Sequence, residues 1–255
     1  MAELRRNRVK HKLQQGKPAI ILGVNDPDTI DAIGPLGVID GVWIEMEHGP
    51  VTWRELTNLS RACDLWGITS MVRVNHGDPW LISRTMDQGV QGIIVPHVNT
   101  KEEAQLAVEG AKYTPQGQRG MYGTRQGFGV SDYHRKANDE VMVTILIEDV
   151  VAVKNLAEIL TVDNIDCFFV ARSDLSQTMG IQYLGQPDHP EVMKVADRVM
   201  KQIVAAGKAT GAVTDDNNIE HMLEMGCRFL LTSTQRYVNS GLQQFQKKVG
   251  TKVPL

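Results

Sequence analysis

Two carboxylates, Glu148 and Asp174, stand where apolar runs give out: T-I-L-I-E ends at the first and C-F-F-V-A-R-S-D at the second. Oxygen donors of this kind suit a hard divalent cation such as Mg²⁺ or Mn²⁺. Proteins commonly hold these ions through one or two carboxylates, with water and substrate oxygens completing the shell. A cation so held can chelate a 2-oxo acid and stabilise the enolate formed when the neighbouring carbon loses a proton. An arginine adds charge-assisted hydrogen bonds to the same oxygens, and a histidine moves the proton near neutral pH. The chain supplies both after apolar runs, His48 in E-M-E-H-G-P and Arg73 in M-V-R-V-N-H. No lysine ends such a run, and Lys208 precedes one rather than following it. Imine chemistry, which needs a desolvated lysine there, is therefore not expected.

These side chains need a frame that brings distant run-ends together. Short apolar runs, rich in Val, Ile and Phe, read as strands buried on both faces. Eight occur: Ala19 to Gly23, Val42 to Glu47, Ser70 to Val74, Gly92 to Val95, Met142 to Ile147, Cys167 to Ala171, Thr210 to Val213 and Phe229 to Leu231. Helical periodicity fills the gaps, as in Trp53-Leu56-Leu59-Ala62 and Val192-Val195-Val199-Ile203. The alternation predicts βαβ units with right-handed crossovers. Eight units in 255 residues predict an α/β protein of the (β/α)8 TIM-barrel type, a single domain over 1–255. An open doubly wound sheet ranks second, since no strand leads into G-x-G-x-x-G. In a barrel the site gathers at the C-terminal strand ends. Those ends carry Glu45, Glu47 and His48; Arg73, Asn75 and His76; His97; Glu148; Arg172, Ser173 and Asp174; Thr214 and Asp215; and Thr232 to Thr234. One long glycine-rich interruption, about 113–141, reads as a functional or interface loop.

A net charge of −3 gives no footprint for nucleic acid or an anionic membrane. No apolar run approaches the ~20 residues of a membrane span. The N-terminus, M-A-E-L-R-R-N-R-V-K-H-K, is charged and has no secretory h-region. Cys63, Cys167 and Cys227 are odd in number and lack C-x-x-C spacing, so a reduced, cytoplasmic setting is the expectation. No motif calls for an organic cofactor. The Gly123 to Gly129 stretch resembles a phosphate loop only superficially, since no helix opening with Lys-Ser/Thr follows.

Several segments, taken in order, resemble the class II pyruvate aldolases of the HpcH/HpaI family. They are V-W-I-E-M-E-H-G-P from Val42, M-V-R-V-N-H-G-D-P around Arg73, M-D-Q-G with Asp87, and G-I-I-V-P. Y-T-P-Q-G-Q-R-G from Tyr113, I-E-D at Glu148 and S-D-L-S-Q-T-M-G with Asp174 complete the set, over roughly residues 10–248. The resemblance implies a barrel enzyme that makes or cleaves 4-hydroxy-2-oxo acids from pyruvate or hydroxypyruvate and an aldehyde. It implies a homo-oligomer, a hexamer or a trimer, with sites near subunit boundaries. Glu148 and Asp174 would hold Mg²⁺, Mn²⁺ or Co²⁺, and Arg73 would face the enolate oxygen. His48 would be the acid/base, oriented by Asp87, and the N–H groups of Ser173 and Asp174 would grip the substrate carboxylate.

Three positions depart from the family pattern. Glu45 replaces an aspartate and is expected to reach into the aldehyde pocket. Leu146 replaces a glutamine two residues before Glu148, on the same side of the strand, and should make the site drier. Arg172, in A-R-S-D where G-P-A-D is usual, is expected to add a charge near the metal. They leave two alternatives: a decarboxylase of oxaloacetate-like acids working through the same enolate, and a silent metabolite-binding homologue. A thioester-cleaving enzyme of the citrate lyase kind would call for a basic groove, for which the charge balance gives no clear sign.

Overall fold

The alternation of side chains along each apolar run settles which residues face inward, and the barrel follows from it. In a computed structural model, which describes residues 2–181 and 186–250, the eight runs are eight parallel strands. They are β1 (Ala19–Gly23), β2 (Gly41–Glu45), β3 (Thr69–Arg73), β4 (Gly92–Val95), β5 (Met142–Ile147), β6 (Cys167–Val170), β7 (Thr210–Val213) and β8 (Cys227–Ser233). Neighbours pair in chain order and β1 closes on β8, from Ala19 opposite Phe229 to Gly23 opposite Ser233. The last strand is longer than its apolar run because this pairing carries it to Ser233.

Eleven helices are described: α1 (Arg8–Gln14), α2 (Pro27–Ile33), α3 (Trp53–Leu65), α4 (Pro79–Met86), α5 (Lys101–Ala111), α6 (Tyr133–Glu140), α7 (Val150–Ile159), α8 (Arg172–Thr178), α9 (Pro190–Ala205), α10 (Ile219–Glu224) and α11 (Thr234–Val249). Capping boxes start α3 (Thr52 with Glu55) and α5 (Thr100 with Glu103), fixing where the chain turns down from the barrel mouth.

Inside the barrel, Ile21, Trp43, Met71, Ile94, Leu146, Phe169 and Phe229 pack together, and Val9 and Leu13 of α1 close the far end. The Trp43 ring lies 5.3 Å from Phe169 and 6.4 Å from Phe229. Gly211 admits these rings: a Cβ there would lie 2.8 Å from Phe229 and 2.9 Å from Phe169. Outward residues such as Val42, Ile44, Val72, Val95 and Ile145 meet the helical layer through Leu56, Leu59, Ile82, Val108 and Ile203. Each large side chain so buried stabilises the fold by about 1.5–3 kcal/mol.

The 113–141 segment is not one long loop. It holds a 3₁₀ turn, Arg125–Gly127, and α6, which is anchored by reciprocal hydrogen bonds of 2.8 Å between Asn138 and the Tyr113 backbone. The sequence hides α6 because Y-H-R-K-A-N-D-E buries only two apolar residues, Tyr133 and Ala137, beside the polar Asn138, too few for a visible stripe. The segment follows α5, so it lies at the N-terminal end of the strands, away from its own chain's mouth. No helix among the described residues is long and apolar enough to cross a membrane.

Candidate active site

Glu45 and Arg73 end adjacent strands as register partners, so both reach the mouth side by side. Arg73 Nε donates to Glu45 Oε2 at 2.7 Å, and its Nη1 lies 2.9 Å from Glu47 Oε2. The guanidinium also sits 5.6 Å above the Trp43 ring. Glu45 accepts three further hydrogen bonds: from Trp43 Nε1 (3.2 Å), Glu47 N–H (2.8 Å) and His48 N–H (3.1 Å). Four donors hold its carboxylate back against the strand end, so Glu45 does not extend into an aldehyde pocket as expected. It shapes the turn that carries Glu47 and His48. The His48 ring is 69% exposed, with Nε2 3.6 Å from Glu47 Oε2.

Glu148 leaves β5 pointing into the mouth and is only 1% exposed. The His97 N–H donates to its Oε1 at 2.7 Å. Burial pushes its carboxyl up to about 7. The His97 N–H and ring pull it down, while the charges of Asp174 and Glu47 raise it further. Asp174 lies in the first turn of α8, which is tied to the end of β5 by Thr178: its Oγ1 donates to Glu148 O (3.4 Å) and accepts from Val150 N–H (3.2 Å). That first turn leaves the Ser173 and Asp174 N–H groups without intrahelical acceptors. Glu148 does not cap α7; that position belongs to Asp149.

His97 is the residue the sequence undervalued. Its backbone is left-handed (φ 51°), costing about 1–2 kcal/mol for a residue with a Cβ. The twist aims its N–H at Glu148 and places Nδ1 3.0 Å from Asp149 and 3.4 Å from Glu148. Nothing in the P-H-V triplet announces this, since a single-residue twist leaves no periodic trace.

Of three further expectations, the one for Leu146 holds and those for Arg172 and Asp87 do not. Leu146 does face the barrel interior below Glu148, packed in the Trp43 and Phe169 cluster, as a dry floor. Arg172 turns away from the mouth, with Nη1 2.9 Å from Asp188 and Nη2 donating to Val213 O at 3.3 Å. The guanidinium is therefore engaged on the α9 side, through Asp188 and Met193, rather than set beside Glu148 and Asp174 as expected. Asp87 closes α4 at the opposite end of the barrel, where Arg119 Nη2 holds it at 2.7 Å. It is not brought to the His48 of its own chain.

The donor set fits a hard cation. A buried carboxylate beside two more carboxylates gains on all three counts from a divalent ion, which offsets burial and repulsion together. No group of three or more His, Cys, Asp or Glu with metal-holding geometry is found among the described residues, so Glu148 and Asp174 would leave most positions to other oxygens.

A closed parallel barrel with acidic, basic and imidazole groups at its C-terminal strand ends has the layout of an enzyme for small anionic substrates. The chain belongs to the HpcH/HpaI aldolase/citrate lyase family, whose profile matches residues 21–234. It is 32% identical to a hydroxypyruvate/pyruvate aldolase of Roseobacter denitrificans over 231 residues, covering 88% of this chain and 89% of the relative. It is 33% identical to a 4-hydroxy-2-oxo-heptane-1,7-dioate aldolase of Shigella flexneri, covering 88% and 85%. Among solved structures, a family protein from Burkholderia cenocepacia J2315 superposes with a TM-score of 0.88 at 28% identity, covering 96% of this chain and all of that one.

Proposed function

We propose that this chain is a divalent-metal-dependent aldolase that forms or cleaves 4-hydroxy-2-oxo acids, with pyruvate or hydroxypyruvate as the 2-oxo acid and an aldehyde as partner. The observation that carries the reading is the buried Glu148 beside Asp174, facing the Arg73 clamp. A divalent cation on these carboxylates, whether Mg²⁺, Mn²⁺ or Co²⁺, supplies electrophilic stabilisation of the charge that develops on the 2-oxo group. The first-turn N–H groups of Ser173 and Asp174 hold the substrate carboxylate. Arg73, fixed by Glu45 and Glu47, donates to the enolate oxygen from the guanidinium N–H groups left free. His48 accepts the proton from the carbon beside the ketone, and Glu47 steadies the imidazolium. The carbon–carbon bond then forms to the aldehyde carbon, and the proton ends on the aldehyde oxygen. Leu146, Trp43 and Phe169 keep water from entering below. Neither Glu45 nor Arg172 obstructs the mouth, so the substitutions that would favour a silent homologue lose that support.

The same reading takes residues 1–255 as one barrel domain that assembles as a homo-oligomer, a hexamer or a trimer. Val238, Leu242, Phe245 and Val249 form a stripe along α11 that is exposed in the single chain. The distance of Asp87 from its own mouth means that orientation of His48 by Asp87 is available only between subunits. The three cysteines are buried and unpaired, which supports a reduced, cytoplasmic setting.

The test is Glu148→Gln. The folded variant is expected to lose at least about 10²-fold in both 4-hydroxy-2-oxo acid cleavage and proton exchange at the pyruvate methyl. Wild-type rates from this variant in the presence of chelator would contradict the reading.

A further inference from the structure

The basic N-terminal segment takes no part in the chemistry above, and the fold gives it a place of its own. In α1, Val9 and Leu13 turn into the barrel end, which sends Arg8, His11, Lys12 and Gln15 to the opposite side at i, i+3, i+4 and i+7. These four, with Arg5, Arg6, Asp64, Ile68 and Gln91, line a cavity of about 530 Å³ at the N-terminal end of the strands. That volume falls in the range of small-molecule sites, roughly 300–1,000 Å³.

The charges around it do not balance. Asp40, whose side chain is 1% exposed, sits 2.7 Å from both Arg8 Nε and Lys12 Nζ. Asp64 is shared by Arg5 and Arg125. Two carboxylates thus serve four cations, and Arg6 has no acidic partner among the described residues. His11 is matched by Glu140 at 2.9 Å. With Arg6 counted and histidine taken as neutral, five cations meet three carboxylates, an excess of two positive charges in a chain whose net charge is −3. The anchors also leave donors to spare: Arg8 meets Asp40 through Nε alone, so its terminal nitrogens have no partner among the described residues. Guanidinium forks held in place by buried carboxylates suit a tetrahedral oxyanion with more than one charge.

We infer that this cleft is a second ligand site, for a small phosphoryl-bearing anion bound between α1, the end of α3 and the start of β4. It lies at the opposite end of the barrel from Glu148, so its occupant is not the substrate. Binding there would pin α1, and with it Val9 and Leu13, onto the barrel end.

Inorganic pyrophosphate is the probe, titrated into the full chain in chelator, with sodium chloride matching ionic strength and thermal unfolding as the readout. The expected result is a saturable rise in Tm for the wild type and a midpoint at least ten-fold weaker in Arg6→Glu. Arg6→Gln serves as a second variant and should weaken binding in the same direction. Both should keep wild-type proton exchange at the pyruvate methyl, which separates this site from the catalytic reading. A rise that only follows ionic strength, an unchanged midpoint in both variants, or equal binding of citrate would overturn the assignment.

Discussion

Glu45 and Arg172 show how far one side chain's direction decides its meaning. Glu45 accepts four hydrogen bonds at the base of the His48 turn, and an amide at that position would set N–H groups against N–H groups. Glu45→Gln is therefore expected to lower kcat by about 10–100-fold, the cost typical of losing a group that orients catalytic partners, while the fold persists. Steady-state kinetics beside a thermal melt would check this, and an unchanged kcat would contradict it. Arg172→Met should behave in the reverse way. It leaves Val213 O without its donor and costs about 1–3 kcal/mol of stability, yet leaves kcat/KM close to wild type. A large loss of activity with intact stability would return Arg172 to the site. That Glu148, Asp174, Arg73 and His48 stand at the barrel mouth can be read from the sequence, because each follows an apolar run and strand ends in a barrel converge. The directions of Glu45 and Arg172 were not, since they depend on which hydrogen bonds the finished turn offers.

At the scale of elements, the strands were readable and the pieces closing the far end were not. Four of the eight runs match their strands residue for residue, because no charged side chain interrupts them to blur the ends. By contrast, α6 is held through its carbonyls rather than by an apolar face. Lys10 and Lys112 both donate to Asn138 O and Val141 O, at 2.7 to 3.2 Å. Burial pulls the Lys112 ammonium down to about 7. The charge of Asp166 opposes this, and Lys10, on the same two oxygens, adds to it. The unfolded chain keeps this proton up to the ordinary lysine value of 10.5, whereas the folded chain releases it near 7. Stability from this group is therefore full above 10.5 and is lost as pH falls toward 7. Relative to Lys112→Met, in which Lys10 still serves both carbonyls, the wild type should gain stability from pH 7 to pH 10. Parallel denaturant melts at several pH values measure the difference, and identical slopes for the two proteins would contradict the argument.

For the whole molecule, the exposed stripe on α11 is the feature a single chain leaves unexplained. Phe245 and Leu242 lie more than 60% exposed, on a helix with no buried residue. Phe245→Glu is predicted to reduce the assembled mass seen by light scattering, while an unchanged mass would place the interface elsewhere. The same scale explains why a basic groove escaped the sequence reading. A net charge of −3 averages over the chain, whereas the excess at α1 arises only when Asp40 and Asp64 are found shared. Because that groove faces away from Glu148, it offers no grip for a thioester reacting at the mouth.

The central claim is that Glu148 and Asp174 together hold one divalent cation. A calorimetric titration of the metal-stripped protein with Mn²⁺ tests it most directly. One ion per chain should bind to the wild type and none with comparable affinity to folded Asp174→Asn; undiminished binding to that variant would contradict the account.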